Sequence, residues 1–287
     1  MSARLFLSRT NLPQAWRMSN LSTAALNSNL SPTSFALVRT FRQWSVSHDA
    51  AVAEAKSVAP TFPEKLPKEQ CVEHFNKAIT DLTEVLAQVT PHTHPPHSRL
   101  NNLVNFVPDA AAAARLPALV RTWRAEGLPI TPYTTNTLIF RCAQVGAPKV
   151  ALTLLQDRAM YGQRPTANYL HHLMRAFGEQ AVAISRAEPF QPDAYFAALD
   201  NMFRTFALFE YYELEPNVES YSTLVKYCCE GPSKEAFRRA AATVSEAVSF
   251  ATPMIDRETA LKFQEACTTH GDTEKRAYIE SILAKLN

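Results

Sequence analysis

No run of eighteen apolar residues occurs in this sequence, so no segment reads as a membrane-spanning helix. Glycine is scarce, six against nineteen prolines, and alternating β-branched stretches are few, which argues against a sheet protein and for helices joined by proline-marked turns. The five cysteines (Cys71, Cys142, Cys228, Cys229, Cys267) contain no C-x-x-C spacing. Most stand at apolar helical positions where a thiol packs as a small hydrophobe, and the vicinal Cys228 and Cys229 read as free thiols; a reducing compartment fits them best. Catalytic signatures are missing as well: there is no P-loop, G-x-G-x-x-G, H-E-x-x-H or G-x-S-x-G turn. Asp256, Glu258, Glu265 and Asp272 read as helix-terminal and surface carboxylates. The expectation is therefore a chain that is not an enzyme, uses no metal or cofactor and takes no small-molecule substrate.

Acid is absent from the first 48 residues, which carry five arginines and no lysine. Arg-bearing, Ser-rich and acid-free, with Leu5, Phe6, Leu37 and Val38 between the charges, residues 1–44 have the composition of a mitochondrial presequence. Arg42-Gln43-Trp44-Ser45 matches the matrix-peptidase pattern of an arginine two residues before the cut, so cleavage is expected near Trp44 and the mature chain in the mitochondrial matrix. Removing five arginines from the 29 basic residues leaves 24 against 27 acidic ones, a body near −3. A protein that binds nucleic acid by neutralising phosphates usually has a basic excess, and this body has none.

What the body does have is a repeat. From Pro132 to Thr166 the chain reads as a helix, a turn at Gly146, a second helix opening at Pro148, and a terminal Gly162-x-x-Pro165. Leu138, Ile139, Cys142 and Val145, then Val150, Ala151, Leu154 and Leu155, recur every three or four positions, placing an apolar face on each helix. So short a hairpin cannot bury both faces alone and needs copies beside it. Shifting the chain by 35 residues puts Leu103 on Leu138 and Leu138 on Leu173, Asn101 on Asn136, and Gly127 on Gly162. The phase returns at Pro216–Leu224, with Leu224 lying 51 residues after Leu173, one period plus a 16-residue insertion over 179–194. All six glycines (127, 146, 162, 178, 231, 271) are expected at helix ends.

Thr134-Thr135-Asn136-Thr137-Leu138-Ile139, Val150-Ala151-Leu152 and Pro216 to Val225 resemble the pentatricopeptide repeat family, whose repeat opens with a Val-Thr-Tyr-Asn-Thr-Leu-Ile-like helix and closes with Gly-x-x-Pro-Asp. The resemblance covers about residues 97–252, roughly half the chain. It implies an all-α, right-handed solenoid of helical hairpins, pentatricopeptide- or tetratricopeptide-like, of about four to five repeats. It also implies single-stranded RNA recognition at about one base per repeat, read by two or three side chains. The matching positions are Asn101, Asn136, His171 and Ser222 on the first helices and Thr131, Thr166 and Asn217 at the repeat closures. The amides of Asn101 and Asn136 suit base edges by donating and accepting together.

Around the repeats, 45–67 reads as an Ala, Pro and Lys-rich arm and 68–90 as an amphipathic helix with Val72, Phe75, Ile79, Leu82, Leu86 and Val89 on one stripe. That stripe either caps the first repeat or pairs with a partner helix. His92, His94 and His97 form a proline-bounded cluster without a Cys or carboxylate to complete a zinc site. Arg115, Arg121 and Arg124 with Trp123 are the nearest thing to a basic and aromatic patch, the alternative being a solvated face with one packed indole. Phe196, Phe203, Phe206, Phe209, Tyr211 and Tyr212 crowd one helix, either as thickened core or as an exposed contact for protein or RNA. Residues 253–287 read as a degenerate terminal repeat or cap.

Three functions fit. The first is a subunit of the mitochondrial ribosome or a translation assembly, with ribosomal proteins and rRNA as partners. The second is a free RNA-binding factor acting on mRNA processing, stability or translational activation. The third is an assembly factor or subunit of a respiratory complex without RNA. A near-neutral body, few repeats and an aromatic-rich insertion favour the first; a basic groove along the Asn101, Asn136, His171 and Ser222 positions favours the second, an acidic one the third.

Overall fold

Turn chemistry sets the helix boundaries. Thr131 opens one helix by accepting the Thr134 N–H on its Oγ1 at 3.2 Å, and Asp256 opens another by accepting the Thr259 N–H at 2.8 Å. Asn217 and Ser220 exchange side-chain and backbone bonds in a full capping box. Each such cap stabilises its helix by about 1 kcal/mol. Gly146, with φ +74°, ends the first helix of the central hairpin, and Pro148 opens the second, where its missing N–H has no intrahelical partner to lose.

The computed structural model describes residues 68–90 and 94–284, all within one compact unit, Pro60–Asn287. The presequence and arm expected over 1–44 and 45–67, and His92 of the histidine cluster, lie outside the described residues. The described chain is all-helical: α1 (Lys68–Leu86), α2 (His97–Asn105), α3 (Ala110–Ala113), α4 (Leu116–Ala125), α5 (Pro132–Gln144), α6 (Pro148–Gln156), α7 (Arg158–Tyr161), α8 (Ala167–Ser185), α9 (Pro192–Tyr211), α10 (Val218–Cys229), α11 (Lys234–Ala247), α12 (Arg257–His270) and α13 (Thr273–Leu283). None of these helices is long and apolar enough to cross a membrane.

The helices pair as hairpins: α5 packs on α6, α8 on α9, α10 on α11 and α12 on α13. Across hairpins, α2, α5, α8, α10 and α12 each touch the next in that order, while α4 touches α6 and α6 touches α9. One apolar cluster runs through them from Phe75 to Ile282. Phe75, Ile79, Leu82 and Leu86 of α1 are buried in it, and α1 lies on α2 and α4.

Four features differ from the sequence expectation. The sequence reads 110–126 as the single second helix of the first repeat; the structure has two, because Pro117 has no N–H to donate to the Ala113 carbonyl, and the helix stops at Ala113 and restarts at Leu116. The second helix of the central hairpin likewise breaks at Asp157, whose carboxylate accepts the Met160 N–H at 2.8 Å and starts α7 afresh. The 179–194 insertion is not a separate segment: residues 179–185 continue α8 to 19 residues and Pro192 opens the 20-residue α9, against 13 in α5. Gly178 lies inside α8 and not at a helix end. It is there for space, since a Cβ on it would stand 2.1 Å from Cδ2 of Tyr227.

Candidate functional site

Three of the seven polar positions expected to face a ligand bond to the neighbouring helix. Asn136 on α5 accepts the backbone N–H of Thr166, the residue that caps α8, at 3.3 Å. Beside it, Thr135 Oγ1 accepts the Arg164 N–H at 3.1 Å. His171 on α8 has Nε2 at 2.7 Å from the Ser220 hydroxyl in the first turn of α10. Ser222 on α10 accepts the N–H of Asp256, the cap of α12, at 3.1 Å. At three successive junctions, a polar side chain on one first helix thus grips the start of the next. Helix starts carry N–H groups without intrahelical partners, so the arrangement satisfies donors that would otherwise need water.

The other candidates are placed as follows. Asn101 is half-buried, and its Oδ1 has no hydrogen-bond partner among the described residues. Thr131 and Asn217 cap α5 and α10 through their side chains, whereas Thr166 is exposed and caps α8 without a side-chain bond. Arg115 and Arg121 are exposed, but Trp123 is fully buried and its Nε1–H donates to the Pro129 carbonyl at 3.1 Å. Arg115 turns toward α1, donating to Asn76 Oδ1 at 2.9 Å, and Arg124 turns back to the Leu128 carbonyl at 3.3 Å. The structure does not bring these four side chains together as one surface. Of the rings on α9, Phe209 is buried, Phe196, Phe203, Phe206 and Tyr212 are half-buried against the core, and Tyr211 is exposed.

His171 carries the densest polar network. Its Nδ1 lies 3.2 Å from Glu219 Oε2, and Arg175 approaches the other Glu219 oxygen at 3.7 Å. Glu219, His171 and Ser220 thus line up as an acid, an imidazole and a hydroxyl, although Nδ1 makes no hydrogen bond to the carboxylate. Ser220 has no accessible surface, however, and its Oγ also accepts the Asn217 N–H at 3.1 Å. No substrate carbonyl can reach it, so the network fastens α8 to α10. Sequence reasoning singled out His171 but missed Glu219, Arg175 and Ser220; the Asn217-x-x-Ser220 spacing of a capping box was the available signal.

Burial pushes the His171 imidazole below its ordinary pKa; the Glu219 carboxylate opposes that, Arg175 reinforces it, and the net direction is down. His172 is lowered in the same way, by burial first and then by Arg175, against Glu179. The unfolded chain therefore binds protons at these sites before the folded one does, and their stabilisation is full above about pH 6.5 and lost as pH falls from there toward the depressed folded values. The urea midpoint is expected to fall between about pH 7.5 and pH 5.5, and His171→Gln is expected to flatten that dependence. An unchanged slope in the variant would show that His171 does not contribute to it.

Two cavities lie along α5, α8, α10 and α12 and together form a trough. One part, a cavity of about 410 Å³, lies between Phe140, Gln144, His172, Arg175 and Glu179; the next, about 440 Å³, lies between Arg175, Glu219, Lys226, Tyr227, Asp256 and Glu258. Arg175 is the wall they share. Phe140 and His172 stack at 5.0 Å, and the Lys226 ammonium sits 5.5 Å from the centre of the Tyr227 ring. Burial pushes the Asp256 carboxyl up, but hydrogen bonds from Ser222, Thr259 and Glu258 outweigh it and the net direction is down, so it is ionised at neutral pH. Among the described residues no cluster of His, Cys, Asp and Glu is arranged to hold a metal ion; His97 leans against Trp123 at 6.0 Å and His94 is exposed. No protein-family model matches the chain, and no curated protein matches it.

Proposed function

We propose that this chain is a non-catalytic, pentatricopeptide-like scaffold, a right-handed solenoid of helical hairpins that serves as a subunit of the mitochondrial ribosome or of a translation assembly in the matrix. The observation that carries the reading is the series Asn136 to Thr166, His171 to Ser220 and Ser222 to Asp256, in which side chains at the base-reading positions bond to the adjoining helix. An amide oxygen or hydroxyl already holding a neighbour's N–H has less capacity to read a base edge. A stack fastened at three successive junctions is suited to act as a rigid platform. The near-neutral body points the same way, since phosphate neutralisation calls for a basic excess.

Sedimentation of a mitochondrial lysate through sucrose, with and without RNase and in high salt, tests this. Salt-resistant comigration with one ribosomal subunit is expected. Migration at the top of the gradient, or as a small RNase-sensitive particle, would contradict the ribosomal assignment and favour a respiratory-complex factor or a free RNA-binding factor respectively.

A further inference from the structure

We infer that the trough across α5, α8, α10 and α12 is a docking surface for a basic, arginine-containing polypeptide segment of a partner protein. The inference rests on the scaffold reading and names what the scaffold holds. Four carboxylates, Glu179, Glu219, Asp256 and Glu258, line the two cavities against two cations, Arg175 and Lys226. Glu219 is already engaged with Arg175 and His171. Lys262 sits at the edge, paired with Glu258 at 3.0 Å, and counting it still leaves acid in excess. Glu179 has no ion-pair partner among the described residues, so it presents an uncompensated charge at one end.

One part of the trough also has aromatic surface: Phe140 and His172, both half-buried, stack there, and a guanidinium bonds to carboxylates through its fork while lying against a ring. A single-stranded nucleic acid offers rings too, but brings a negative charge with every nucleotide into a trough that already has excess acid. Length also fits a peptide. Packed helices lie 8–10 Å apart, so four in a row span roughly 24–30 Å, the reach of about eight or nine extended residues.

The test uses fluorescence anisotropy on the full chain, with a fluorescein-labelled peptide of about nine residues containing four arginines, and a uridine oligoribonucleotide of equal length as competitor. Glu179→Lys/Glu258→Lys reverses two exposed charges of the trough, and Glu126→Lys/Glu210→Lys reverses two exposed charges elsewhere. Thermal melts by circular dichroism establish that both variants fold. The trough variant is expected to lose about tenfold or more in peptide affinity and the control pair less than about twofold. Equal losses in both variants, no loss in the trough variant, or displacement of the peptide by the oligoribonucleotide would overturn the inference. Sedimentation of the trough variant separates the two levels: if it keeps its place with a ribosomal subunit while peptide binding proves unspecific, this inference falls and the scaffold reading stands.

Discussion

Trp123→Ala is expected to lower the unfolding free energy by about 3–5 kcal/mol, a large share of the roughly 5–15 kcal/mol that holds an ordinary domain together. The indole has no accessible surface and ranks among the largest fully buried side chains. Leu119, Val120, Leu128 and Ile130 belong to the same core, and the His97 ring lies 6.0 Å from the indole. Truncation leaves a cavity at the first hairpin, where the neighbouring helices are short and the surroundings can collapse only partly. It also strands the Pro129 carbonyl, which accepts the indole N–H. Trp123→Phe separates the two terms: most of the packing returns and the hydrogen bond does not, so a loss nearer 1–2 kcal/mol is expected. Urea unfolding followed by far-ultraviolet circular dichroism reads both. A Trp123→Ala variant within about 1 kcal/mol of the wild type would mean that the indole is not packed as described.

Gly178→Ala should destabilise the chain although it improves helix propensity. On propensity alone, alanine in the interior of α8 gains about 1 kcal/mol. Against this, the added Cβ would stand 2.1 Å from Cδ2 and 2.3 Å from Cγ of Tyr227, near the root of a buried ring that cannot swing aside without parting α8 from α10. Overpacking of this kind costs about 1–3 kcal/mol, and because the obstruction is at the ring's base the upper part of that range applies. A net loss of about 1–2 kcal/mol follows. The sign should invert when the ring is removed: in a Tyr227→Ala background, Gly178→Ala is expected to be neutral or stabilising. A double-mutant cycle measures this directly, and equal effects of Gly178→Ala in both backgrounds would contradict the close approach.

These two residues mark how far the sequence could be read. The helical hairpins were legible because their signals are local: the apolar stripes of α1 and α5, Pro148 at a helix start and Gly146 just past a helix end. Gly178 was misplaced because the rule for glycine near a period boundary is also local, whereas the reason for this glycine is a ring 49 positions away in sequence. Pro117 and Asp157, which divide two expected helices, did carry local signals, a missing donor and a capping carboxylate, that the apolar periodicity outweighed. The candidate site was less legible still. The spacing put Asn136, His171 and Ser222 on three helices, and they lie on α5, α8 and α10, but periodicity does not say whether a polar side chain faces solvent or the next helix. That depends on how closely the helices approach, and at these junctions they approach to hydrogen-bonding distance.

The most direct measurement is therefore on Asn136→Ala and Ser222→Ala, each assayed for urea stability and for binding to a pool of single-stranded oligoribonucleotides. If these side chains fasten one helix to the next, Ser222→Ala, whose bond is partly buried, loses about 1–1.5 kcal/mol of stability and Asn136→Ala, whose bond is exposed, about 0.5–1 kcal/mol, and whatever RNA affinity the chain has is unchanged. Wild-type stability together with an RNA affinity reduced tenfold or more would contradict the account and return these positions to base reading.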